Sequence, residues 1–118
     1  MKKIVVPIDF SACARNALAN AIKIAERANF ELVLFHSVVM PLGFAEGAPV
    51  AGVEYGLDEL QERAQADMNK LVEDFPQLEK LKHKIHILYG PLHEGINEIN
   101  DEGQVAMVVM GTHGATGF

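Results

Sequence analysis

Four short apolar runs constrain this chain more than any other feature. Residues 3–8 (Lys-Ile-Val-Val-Pro-Ile), 32–39 (Leu-Val-Leu-Phe-His-Ser-Val-Val), 84–89 (Lys-Ile-His-Ile-Leu-Tyr) and 105–110 (Val-Ala-Met-Val-Val-Met) are rich in apolar and β-branched side chains. The first, second and fourth scarcely alternate with polar residues, and near-continuous hydrophobicity marks strands buried on both faces, as in parallel sheets. Pro7 has no backbone donor, so it belongs near the end of its strand rather than at its middle.

The segments between the runs change period from two to three and four. Ala14, Leu18, Ala21, Ile22, Ala25 and Ala28 form one helical stripe, with Arg15, Lys23, Glu26 and Arg27 left for solvent. Ser11 is placed to cap the start of this helix, and Asn29, which tolerates the left-handed conformation, to end it. Leu57, Leu60, Ala64, Met68, Leu71, Val72 and Phe75 form a second stripe, stopped by Pro76. After Gly90-Pro91, residues 94–102 make a short helix burying Ile96 and Ile99. Residues 40–56, with two Pro and four Gly, read as a long irregular connection.

The resulting order, β-α-β-α-β-α-β, defines an α/β domain: a doubly wound open parallel sheet with helices on both faces. A chain of 118 residues makes one domain. It stops inside a glycine-rich turn just after its fourth strand, where this architecture calls for another helix and strand. The domain over residues 1–118 is therefore expected to be C-terminally incomplete.

Charge narrows the partners. A net charge of −6 is the wrong sign for displacing counterions from nucleic acid or docking on an anionic membrane. It leaves room for a small anion, because backbone N–H groups bind phosphate locally. The single cysteine, Cys13, allows no intrachain disulfide and suits a reducing compartment. Only a short apolar run follows Met1-Lys2-Lys3, too brief for a signal-peptide core, so a cytoplasmic location is expected.

In open parallel sheets, ligands bind beyond the carboxyl ends of the strands, where the strand order reverses. Three segments reach that edge: Pro7-Ile8-Asp9, Ser37-Val38, and residues 110–118 with Gly111, Gly114 and Gly117. Glycines there allow positive φ and close approach to a ligand, and such a turn can point N–H groups at phosphate. Glycines also occur in ordinary turns, so this last signal alone is weak.

Taken together, three stretches resemble the universal stress protein family. Lys3-Ile-Val-Val-Pro-Ile-Asp-Phe-Ser11 is similar to the family's opening strand, which ends in Pro-x-Asp. Leu34-Phe-His-Ser-Val38 resembles its second strand, and Val105-Ala-Met-Val-Val-Met-Gly-Thr-His-Gly114 resembles the start of its nucleotide motif, G-x-x-G-x9-G-[ST]. The resemblance covers essentially the whole chain. It implies the adenine nucleotide alpha hydrolase-like fold, with four strands present here and the usual fifth missing, along with the distal half of the motif. It also implies a stress-response module that binds ATP, with or without Mg²⁺, commonly as a homodimer or larger assembly. On that pattern Asp9 meets the ribose, Ile8 and Ser37 lie near adenine, Met110, Gly111 and Gly114 border ribose and phosphates, and Pro7 belongs to the same binding set.

Plainer readings stand beside these. Asp9 can bond a neighbouring backbone N–H at the strand-to-helix turn. His36 reads as a satisfied strand-end histidine, Cys13 as a packing residue or a thiol near a helix start, and His113 as a solvated loop residue or a phosphate contact. His83 and His86 sit three apart on a strand and do not converge on a metal. No nucleophile elbow, lysine-bearing P-loop or carboxylate cluster is present, so catalysis is not expected beyond slow incidental ATP hydrolysis. The alternative function is a non-nucleotide dimerisation or interaction module of the same fold. Without a fifth strand, the fourth would offer an unpaired edge, and an assembly that buries residues 105–110 is expected.

Overall fold

The computed structural model describes residues 1–38 and 53–111, with side chains from residue 58 onward in the second stretch. Strand β1 (Lys3–Pro7) leads into helix α1 (Ala12–Ala28) and strand β2 (Glu31–Val38). Helix α2 (Val53–Asp74) is followed by a 3-10 turn at Pro76–Lys80, strand β3 (His83–Tyr89), helix α3 (Leu92–Asp101) and strand β4 (Val105–Val108). The strands form one parallel sheet in the order β3-β2-β1-β4.

That order is the doubly wound arrangement expected from the sequence. The chain steps outward from β1 to β2 to β3, then crosses to the other side of β1 for β4. The direction of winding therefore reverses between β1 and β4, which creates a crevice at their carboxyl ends.

Period two along the strands sorts the core onto two faces. Ile4, Val6, Ile8, Leu32 and Leu34 pack with Leu18, Ala21, Ile22 and Ala25 of α1 and with Met68 and Leu71 of α2. Val5, Val33 and Phe35 point the other way and pack with Ile99 of α3. Both β1 and β2 are buried on both sides, as their near-continuous hydrophobicity suggests, with His36 and Ser37 of β2 only partly so.

Local signals explain the element ends. The Ser11 hydroxyl accepts from the Ala14 N–H at 3.1 Å, and Asn29 closes α1 in the left-handed region with φ 60°. Arg15, half-exposed at the start of α1, pairs with Asp74 at the end of α2 at 3.0 Å. Helix α3 lies so close to the sheet that a methyl group on Gly95 would run into the Phe35 ring.

Several expectations need correction. Helix α2 begins at Val53, inside the stretch read as an irregular connection. A lone helical glycine, Gly56, costs only about 1 kcal/mol and a helix of this length tolerates it. The remainder of that connection, residues 40–52, lies outside the described residues, as does Val39. Ala28, assigned to the apolar stripe, is exposed at the last residue of α1. Pro76 does more than stop a helix: it opens the 3-10 turn that buries Leu78.

The fourth strand is shorter and more exposed than its composition implied. Within residues 105–110, Met107 is 37% exposed, Val108 39% and Met110 46%. The cause is position: β4 is an edge strand, paired only with β1 among the described residues, while the packed layers centre on β1 and β2.

Candidate functional site

The site is assembled where β1 stops. Pro7 ends the strand, so its missing donor removes no ladder bond inside the sheet. The chain then turns sharply through Phe10, whose φ of 65° is unusual for a bulky residue. Just before this turn the Asp9 carboxylate is exposed, and its Oδ1 accepts from the Ser11 N–H at 2.9 Å. The plainer reading of Asp9 thus holds as local structure, and a carboxylate can accept several further hydrogen bonds. Strain in a non-glycine residue persists only when its surroundings over-determine it. Here the Phe10 ring packs on His36 with centroids 4.7 Å apart.

His36 acts as a strut. Its Nδ1 lies 2.7 Å from the Ile8 carbonyl oxygen, and since a carbonyl only accepts, Nδ1 carries the proton. The Ile8 N–H donates to the Phe35 carbonyl at 2.6 Å, so β1 stays tied to β2 past its formal end. On the far side, the Val109 N–H donates to the Val5 carbonyl at 2.9 Å and carries β4 onward to Met110 and Gly111.

Between these ends lies an open cavity of about 240 Å³ lined by Pro7, Ile8, Asp9, Ala14, Ser37, Pro91, Leu92, Met110 and Gly111. Six residues singled out in the sequence, Pro7, Ile8, Asp9, Ser37, Met110 and Gly111, thus share one cavity. The seventh, Gly114, lies outside the described residues, as do His113 and Gly117. Apolar side chains dominate the lining, which suits the faces of a ring better than a highly charged group.

Two details differ from expectation. Gly111 was singled out for positive φ and for approach to a ligand. Among the described glycines only Gly90 and Gly103 have positive φ. Gly111, which lines the cavity, is also required by close approach to the protein itself, because a Cβ there would overlap the Cys13 carbonyl and Cβ in the first turn of α1. Ser37, expected near adenine through side chain or backbone, donates its hydroxyl to the Gly90 carbonyl. Pro91 and Leu92, the wall that this bond supports, were not foreseen. The Gly90-Pro91 dipeptide was the available signal, read only as strand punctuation.

The remaining histidines stand apart. His83 Nδ1 lies 3.0 Å from the Leu81 carbonyl. The His86 ring packs on Phe35, with its Nε2 3.6 Å from Glu98. Among the described residues, no group of three or more His, Cys, Asp or Glu side chains gathers as a metal would need. No described helix is long and apolar enough to cross a membrane.

A parallel doubly wound sheet with a crevice at its β1–β4 switch point defines the class as an open α/β fold, which binds ligands at that edge. The profile of the universal stress protein family matches residues 1–118, and the chain belongs to that family. Solved structures agree. The universal stress protein UspA from Lactobacillus plantarum superimposes with a TM-score of 0.75 at 19% identity, covering 99% of this chain and 83% of that one. The hypothetical protein MJ0577, described as a structure-based assignment of biochemical function, gives 0.74 at 29% identity, covering 99% and 78%. A universal stress protein solved in complex with cAMP gives 0.53 at 20% identity, covering 92% and 74%. No curated protein matches the chain.

Proposed function

We propose that this protein is a stress-response module that binds adenine nucleotide, ATP foremost, in the cavity at the ends of β1, β2 and β4. One observation carries the reading: residues chosen from three separate stretches of sequence line a single cavity at the switch point of the sheet. The cAMP complex of a protein with this fold supports the choice of an adenine nucleotide.

The residues present fit such a ligand. Ile8, Pro91, Leu92 and Met110 offer apolar surface for the base, and the exposed carboxylate of Asp9 is suited to accept from ribose hydroxyls. At about 240 Å³ the cavity matches a base with its sugar better than a whole triphosphate. The phosphates then extend beyond the cavity past Gly111, with Mg²⁺ bound through them when present. The role read here is binding, with at most slow incidental ATP hydrolysis.

Isothermal titration with ATP and Mg²⁺ tests the reading, with ADP and AMP as competitors. Micromolar binding that Asp9→Ala weakens and Gly114→Val abolishes, both variants remaining folded, supports it. Equal affinity in wild type and Gly114→Val removes it.

The edge strand favours a second reading, a homodimerisation or interaction module without nucleotide. Met107 and Val108 present apolar side chains on a strand whose outer edge is unpaired among the described residues. Self-association by light scattering together with no nucleotide binding selects this reading. The nucleotide module is itself expected to be a homodimer or larger, so association alone does not discriminate.

A further inference from the structure

We infer that Leu92 is a base-contacting residue in the cavity, and that Ser37 is a positioning residue that holds Leu92 there. The inference rests on the nucleotide reading above and deepens it.

The argument begins with the turn between β3 and α3. Gly90 adopts φ 154°, a conformation that favours glycine, and Pro91 then fixes the entry into the helix. Two hydrogen bonds tie this turn to the end of β2: the Gly90 N–H donates to the Val38 carbonyl at 3.2 Å, and the Ser37 hydroxyl donates to the Gly90 carbonyl. Helix α3 behind it is seated by Ile99, 1% exposed, and by the contact of Gly95 with the buried Phe35 ring. A turn held at both ends in this way presents its side chains as a fixed wall.

Leu92 is the first residue of α3, is 36% exposed, and lines the cavity. Met110, 46% exposed, lines the same cavity from the segment after β4. Strands β3 and β4 are the opposite edges of the sheet, so the two side chains reach the cavity from opposite sides. Two apolar side chains approaching an open cavity from either side suit a flat ring held by its faces, the part of a nucleotide with the most apolar surface to bury. Ser37 takes a different role from the one its position in the sequence suggested. Its hydroxyl proton is engaged with Gly90, so it supports the wall and does not donate to the base.

The test is isothermal titration of the full chain and its variants with two probes, ATP and adenosine. Leu92→Ala is expected to weaken both by the same factor, about tenfold, the scale of losing part of one side chain's apolar contact. The ratio of the two affinities then stays at its wild-type value, because the phosphates do not touch Leu92. Leu92→Phe restores binding. Ser37→Ala weakens both probes in the same ratio-preserving way, and Ser37→Thr, which keeps the hydroxyl, recovers it. Thermal unfolding by circular dichroism confirms that each variant is folded. Wild-type ATP affinity in Leu92→Ala overturns the inference and leaves the nucleotide reading standing. A fall for ATP with no fall for adenosine also overturns it, since Leu92 would then act on the phosphate end. If the wild-type chain binds neither probe, both the inference and the nucleotide reading fail.

Discussion

Replacing Gly95 by Ala measures how tightly helix α3, and with it one wall of the cavity, is fitted to the sheet. In the interior of an ordinary exposed helix the change stabilises by about 1 kcal/mol, because alanine loses less backbone freedom. Here the new methyl meets the ring of Phe35, which is 0% exposed and is packed with Val5, Val33 and Ile99. The ring has no solvent side to retreat to, so helix and sheet must separate. Overpacking of this kind costs about 1–3 kcal/mol, and a clash with three ring atoms at once belongs at the upper end. The net expectation is a loss of about 2 kcal/mol after the helix-propensity gain is subtracted. With a urea dependence of about 1–3 kcal/mol/M, the unfolding midpoint should fall by roughly 1 M. Urea titration followed by circular dichroism reads this directly. Adding Phe35→Leu to Gly95→Ala should return part of the loss, since the two positions share one contact. A midpoint that is unchanged or raised would show that α3 is not seated on Phe35 and would refute the reasoning.

Other substitutions probe the remaining joints. Ser11→Ala removes the cap that accepts from the Ala14 N–H and should cost about 1 kcal/mol in the same urea assay. Gly111→Ala should cost about 1–3 kcal/mol by forcing the first turn of α1 away at Cys13, and it should weaken ATP binding with it. Arg15→Ala, at an exposed ion pair with Asp74, should cost less than about 1 kcal/mol, a loss that shrinks further in high salt. Val108→Lys places a charge on the exposed side of the edge strand. It should shift any assembly toward monomer by light scattering while leaving the thermal unfolding of the monomer nearly unchanged.

The parts of the fold legible in the sequence are those set by local pattern. Near-continuous apolar runs marked β1 and β2 because both faces of those strands are covered, and Ser11 and Asn29 marked the ends of α1 because capping is a property of single residues. The fourth run misled on burial for a related reason. Val105, Met107 and Val108 have the composition of a central strand, yet sheet order, which no local pattern encodes, places them at an edge. The start of α2 was hidden because Val53 to Gly56 close a stretch with two Pro and four Gly, whose composition masks a helix that a single glycine does not break.

At the site, the strand ends were legible because a parallel sheet must bring them to one edge. Pro91 and Leu92 were missed because they enter from the turn after β3, and only the pairing of β3 with β2 brings that turn beside Ser37. Gly111 lines the cavity and also answers a need for space that the sequence does not reveal. A glycine can be required by space against its own chain as well as by a ligand, and the sequence does not distinguish the two.

The central claim is that the cavity at the β1–β4 switch point takes an adenine nucleotide, and residue-resolved NMR tests it most directly. Amide shifts of the ¹⁵N-labelled chain would be followed as ATP is added with and without Mg²⁺. The account predicts saturable shifts gathered at Ile8, Asp9, Ser37, Leu92, Met110 and Gly111, with α2 and the start of β3 left still. No saturable shifts, or shifts gathered along the outer side of β4 instead, would contradict it.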